Sequence, residues 1–151
     1  MTLKSNNKVL SALLACLCGV ISGNLFLRLY GIVFAYLVDV RAIEWIKVFP
    51  KSIHSIAYWI HSFIFEILVL AIIILITGCI VGAFLKIEKL KASILSFVCF
   101  FLTKSYYHYI VWNKFSLLDS PVIYFLVISV ITIFMFWYSF YLGGLLRNRI
   151  R

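Results

Sequence analysis

Residues Phe63 to Leu85 read FIFEILVLAIIILITGCIVGAFL, an unbroken apolar run with one ionisable side chain, Glu66, near its start. A helix in a soluble protein turns a polar face to water, and this run has none to offer. It also reaches past the roughly 20 residues that carry a helix across a bilayer. The stretch is therefore read as a transmembrane helix, and the rest of the chain is read around it.

The composition points the same way. Apolar residues make up 65% of the 151-residue chain and charged residues 13%, against the 45–50% or so that is apolar in soluble domains. Three more apolar segments accompany the first, giving spans at about 9–28, 63–85, 92–112 and 122–146. The expected fold is an all-α integral membrane protein: a four-transmembrane-helix bundle forming one membrane domain over 1–151. Between the first two spans, over about 39–62, Ile46, Phe49, Ile53, Ile56 and Ile60 recur at three- and four-residue steps, interrupted by Pro50. That spacing predicts an amphipathic interfacial connector on the outer side, with Trp45, Tyr58 and Trp59 at headgroup depth.

The net charge of +9 is distributed unevenly. One side of the expected topology holds Lys4, Lys8, Lys86, Lys89, Lys91, Arg147, Arg149 and Arg151 against Glu88, a net +7; the other side sums to +2. The excess of cations places both termini in the cytoplasm, and the chain in a bacterial inner membrane. These cations sit at the ends of apolar runs and do not form a dense basic stripe, so nucleic acid is excluded as a partner and lipid headgroups are favoured. The opening KSNNKVLSALLAC, Lys4 to Cys16, resembles a bacterial lipoprotein signal, but Leu14 fits that box poorly and the apolar run continues past the cysteine. It is read as a retained helix.

Lys104 is the anomaly. If the third span starts near Ala92, Lys104 lies about 18 Å into it, past the midplane of a roughly 30 Å core. Glu66, about 5 Å below the outer end of its own span, supplies a partner. His108 stands one turn above Lys104 on the same helix face, and Arg28 reaches a similar level from the first span. Arg28, Glu66, Lys104 and His108 thus form a candidate outer-leaflet charged cluster, under a lid of Tyr106, Tyr107, Tyr109 and Trp112, because charges inside a membrane face the bundle interior and pair. Two GxxxG steps, Gly19–Gly23 and Gly78–Gly82, mark candidate helix-packing sites between the first and second spans. Ser93, Ser96, Cys99 and Thr103 line one side of the third span as a small-polar stripe.

The strings GNLFLR (Gly23 to Arg28), Val38-Asp39 and FSLLDS (Phe115 to Ser120) are similar to motifs of the lipoprotein signal peptidase family, a four-span aspartic protease. The resemblance implies a pair of catalytic aspartates, yet Leu27 stands where the first belongs, leaving Asp119 no acid with which to share a proton. No protease is expected. Nor does the sequence hold a catalytic constellation, a cofactor-binding motif or a metal-ligand spacing; Cys16, Cys18, Cys79 and Cys99 fall inside apolar runs as packing residues. The leading expectation is a non-enzymatic membrane protein acting through helix contacts with a membrane-protein partner or as a homo-oligomer. Accessory subunit, stabiliser and immunity-type inhibitor all fit that description. In architecture it resembles the four-span immunity proteins that protect bacteria from pore-forming toxins. The alternatives are an oligomeric transporter or channel component using the charged cluster, and a lipid-processing enzyme with His108 as base and Lys104 gripping phosphate.

Overall fold

A computed structural model of the chain describes residues 3–33, 44, 46–112 and 122–150. Of these, 91% are helical and none lies in a strand. Four helices account for them: α1 (Leu3–Val33), α2 (His54–Gly82), α3 (Lys89–Trp112) and α4 (Val122–Ile150). Three are long and apolar enough to cross a membrane, over Lys8–Ile32, Phe63–Gly82 and Phe125–Arg149. The fourth, α3, carries Lys89, Lys91 and Lys104 and is not among them.

The helices exceed their expected bounds. No proline stands between Arg28 and Val33, and α1 runs past its expected end near 28, through Gly31, to Val33. The segment expected as a connector over 39–62 divides. Residues 39–43 and Trp45 lie outside the described residues, and the chain is again followed from Ile46. There, a turn closed by the Phe49 amide on the Ile46 carbonyl, 3.0 Å, leads into Pro50 and a single 3₁₀ turn at Lys51–Ile53. From His54 onward nothing interrupts the helix, and α2 runs straight into the apolar stretch. Proline lacks the N–H a continuing helix needs, so the break falls at Pro50 and not at the polar-to-apolar change near Ser62. Ile46 and Ala57 are buried together, while Ile53, Ile56 and Ile60 remain exposed.

The order around the bundle is α1–α3–α4–α2. The closest packing joins the parallel pairs α1 with α3 and α2 with α4; the antiparallel neighbours α1–α2 and α3–α4 meet less extensively. Phe26, Leu70, Ile74, Phe100, Phe136 and Phe140 form the core between them. Many of the described serine and threonine hydroxyls bond within the bundle. Thr77, Ser93, Thr103, Ser129 and Thr132 each donate to the carbonyl four residues earlier in their own helix, as buried hydroxyls in helices do. Ser96 reaches across instead, donating to the Ala15 carbonyl of α1 at 2.7 Å. Since the one hydroxyl hydrogen of Thr77 is already given to Ile73, the 2.8 Å contact between Ser22 and Thr77 has Ser22 as its donor, tying α1 to α2.

The GxxxG glycines pack the parallel pairs and not the first two helices on each other. Gly19 lies against the Ser96 carbonyl and Cys99 of α3, and Gly23 against Thr103. Gly78 lies against Ser139 of α4, and a Cβ placed on Gly82 would stand 2.6 Å from the Cα of Phe140. Of the stripe of Ser93, Ser96, Cys99 and Thr103, the last three are thus the surface α3 presents to α1. Backbone cannot retreat as a side chain can, so Gly82→Ala is expected to lower stability by about 1–3 kcal/mol. Gly31, whose added Cβ meets nothing within 4 Å, is the control: Gly31→Ala is expected to leave stability unchanged or raise it by up to about 1 kcal/mol. Thermal unfolding of the two variants in one detergent compares them, and equal effects would remove the packing argument.

Candidate functional site

The two glycine-packed pairs set α2 and α3 on a diagonal of the bundle, and across that diagonal runs an ion pair. Lys104 Nζ donates to Glu66 Oε1 at 2.8 Å. The Glu66 side chain is 8% exposed and that of Lys104 26%, so the carboxylate is shut away while the ammonium keeps partial access to the outside. The third element is α1, whose Phe26 places its ring 5.2 Å from the ammonium. That ring is itself fixed, stacked on Tyr30 at 5.1 Å and tilted against Phe100 at 5.9 Å. A cation over an aromatic face is attracted by the ring quadrupole, so Phe26 adds a second stabilising contact to the charge that Glu66 neutralises.

Two of the four cluster residues expected from the sequence are therefore brought together. Arg28 is not joined to them; it is exposed on α1. Two residues beyond Phe26 is about 200° around a helix, which points Arg28 away from the bundle centre. The side chains of His108 and Trp112 lie outside the described residues. The expected tyrosine lid is placed otherwise: Tyr106 and Tyr107 line a groove outside the α1–α3 seam with Val20 and Leu27, and Tyr109 is exposed. Phe26 is the residue sequence reasoning missed. The available signal was its register, since Ser22 and Phe26 are one turn apart and share the inward face of α1.

The pair is compact, uncharged as a whole, and enclosed by aromatic and apolar groups. Among the described residues no three His, Cys, Asp or Glu side chains converge on a metal-sized position, and all four thiols are free. Cys16 and Cys99 are near neighbours across the α1–α3 seam. No protein family, curated protein or solved structure matches this chain.

Removing one member of such a pair strands the other charge in a poorly solvated place, which costs more than the pair itself contributes. With Lys104 partly exposed, Glu66→Ala and Lys104→Ala are each expected to lower stability by about 1–3 kcal/mol. The double variant should then lose less than the sum by at least about 0.5 kcal/mol, the signature of two groups in direct contact. Arg28→Ala is expected to stay within about 0.5 kcal/mol of the parent. Denaturation of the four proteins under one condition measures the cycle; strict additivity would mean that the contact contributes nothing.

Proposed function

We propose that this chain is a small, non-enzymatic polytopic protein of a bacterial inner membrane, acting through helix contacts with a membrane-protein partner. In this reading α3 is the fourth span. It lies parallel to α1, Gly19 at Ser96 and Gly23 at Thr103, and the charge of its Lys104 is paired with Glu66. Both termini are then cytoplasmic, by the excess of cations at their end.

The observation that carries the proposal is how the polar groups and the surface are divided. The interior hydroxyls and charges are spent on one another, in Ser96–Ala15, Ser22–Thr77 and Glu66–Lys104. The outside is apolar and ample: in the three span-grade helices only 39%, 33% and 28% of the most apolar window is buried within the chain. An object whose polar chemistry is turned inward to hold itself together, and whose large free surface is apolar, is suited to lateral association in a membrane. A second reading, an oligomeric transporter component, is favoured by the ion pair alone, since ionisable groups inside membrane helices mark ion pathways as well as structural pairs.

Extraction in a native-membrane system followed by mass spectrometry of the intact particle distinguishes these. A stoichiometric foreign subunit is the expected result. A homo-oligomer with pH-dependent flux in liposomes, abolished by Glu66→Gln, would replace the first reading with the second. Topology is checked independently: reporters fused after Arg151 and before Met1 are both expected to be active on the cytoplasmic side.

A further inference from the structure

The interior hydroxyls and charges of the bundle are spent on one another, and Asn24 departs from that division. It stands on the outward side of α1 and is exposed. The part of α1 long and apolar enough to cross a membrane runs over Lys8–Ile32. Its midpoint is Val20, and Asn24 lies one turn on, about 6 Å beyond it. In a hydrocarbon core of roughly 30 Å, that is about 9 Å short of the nearer edge. A carboxamide on a single methylene does not reach the headgroups from there, as the long stems of lysine and arginine do.

The side-chain amide is half satisfied. Its Nδ2 donates to the Val20 carbonyl, one turn back, at 2.9 Å. A main-chain carbonyl only accepts, so one N–H is used there and the amide oxygen is left over. Among the described residues, Oδ1 and the second N–H of Asn24 have no hydrogen-bond partner. Thr103, its polar neighbour on α3, gives its hydroxyl hydrogen to the Cys99 carbonyl instead. Lipid tails offer neither donor nor acceptor, so an amide left open among them is costly. The surface around Asn24 is concave: it lies in a groove of about 460 Å³ between α1 and α3, beside Val20, Leu27, Leu102 and Tyr106. Val20, Leu102 and Tyr106 are exposed, so the groove opens sideways from the bundle.

We propose that this groove seats a second copy of the chain, joined to the first by reciprocal hydrogen bonds between the two Asn24 side chains. Asn24 lacks an acceptor for one N–H and a donor for Oδ1, and an identical amide supplies both at once. Copies inserted in the same direction carry the residue at the same depth. A two-fold axis along the membrane normal then brings the two amides face to face. A foreign helix meets the same need only if it carries a matching polar side chain at that level, whereas a second copy always does. Hydrogen bonds between asparagine side chains join membrane helices in this way. Arg28 lies one turn farther out, about 12 Å from the midpoint, and its own side chain reaches the headgroups. The two-fold therefore does not bring two cations together inside the hydrocarbon. The dimer rests on the membrane placement of α1. It leaves the exposed faces of α2 and α4 to a foreign subunit, and so stands whether or not one is found.

The test uses the full chain carrying donor and acceptor fluorophores after Arg151, reconstituted in phosphatidylcholine vesicles over a range of protein-to-lipid ratios. Energy transfer between copies is expected to fit a dimer and to fall as lipid is added. Asn24→Leu is expected to weaken association about tenfold, and Asn24→Gln, which keeps the amide, about twofold. Val130→Ala, on the exposed side of α4, should associate as the parent does. Thermal unfolding of Asn24→Leu in detergent, below the association range, should match the parent, which separates loss of contact from loss of fold. The dimer is overturned if no transfer is seen at any ratio, if Asn24→Leu associates as well as the parent, or if Val130→Ala weakens it equally. A particle from native membranes with one copy and a foreign subunit, lost on Asn24→Leu, would give this face to that subunit and overturn the second copy. Failure of the chain to enter vesicles, seen by co-flotation, would overturn the membrane placement and the dimer with it.

Discussion

The close approach of backbones at glycine is the constraint from which the rest of this bundle follows. Where Gly82 meets Phe140, an added Cβ would stand 2.6 Å from main chain, so at that point α2 and α4 meet backbone to backbone. The same holds where Gly19 meets the carbonyl of Ser96. Such contacts join helices running in the same direction, α1 with α3 and α2 with α4. Helices adjacent in sequence across the short turn after Gly82 are thereby pushed to opposite corners. That is why α2 and α3, six residues apart in the chain, face each other only across the centre, and why Glu66 and Lys104 find each other there.

The ion pair is better understood as a selector than as a source of stability. In a medium with little water, desolvating a carboxylate and an ammonium consumes most of what their attraction returns. What the pair does is penalise alternatives. Sliding α3 by one turn against α2 would move Lys104 about 5 Å along the axis and leave both charges stranded. The cross-helix hydroxyl bond from Ser96 to Ala15 imposes a similar condition on α1. Apolar contacts alone tolerate such slips, because one ridge of leucine and isoleucine resembles the next. A few satisfied polar groups at fixed heights remove the degeneracy.

Much of this was open to inspection in the sequence. The run from Phe63 to Gly82 announces a membrane-grade helix by length and apolarity, and counting depth along two helices was enough to name Glu66 as a partner for Lys104. Other features are set by tertiary context that periodicity does not carry. GxxxG says that a backbone will come close but not whose, so pairing α1 with α2 was the natural expectation and the wrong one. Arg28 shares a height with the pair but not a direction; only the orientation of Phe26 toward the bundle shows that two residues on must point away. The start of α2 was read at a change of polarity, whereas the backbone responds to Pro50.

The helix that is not among the three span-grade ones leans on two of the others. α3 brings Lys104, Ser93, Ser96 and Thr103 into the bundle, and its hydroxyls and charge are satisfied only in part by α3 itself. Ser93 and Thr103 return to their own backbone, but Ser96 needs α1 and Lys104 needs α2. If α3 is the proposed fourth span, then without α2 its ammonium would be uncompensated in lipid, a state that membranes admit only at considerable cost. On that reading its insertion would be coupled to the prior or simultaneous presence of Glu66 on α2, which the chain delivers first and joins to α3 by a turn of only a few residues. Polar groups that would disqualify α3 as an independent span are, in this arrangement, what commits it to a single place beside α1.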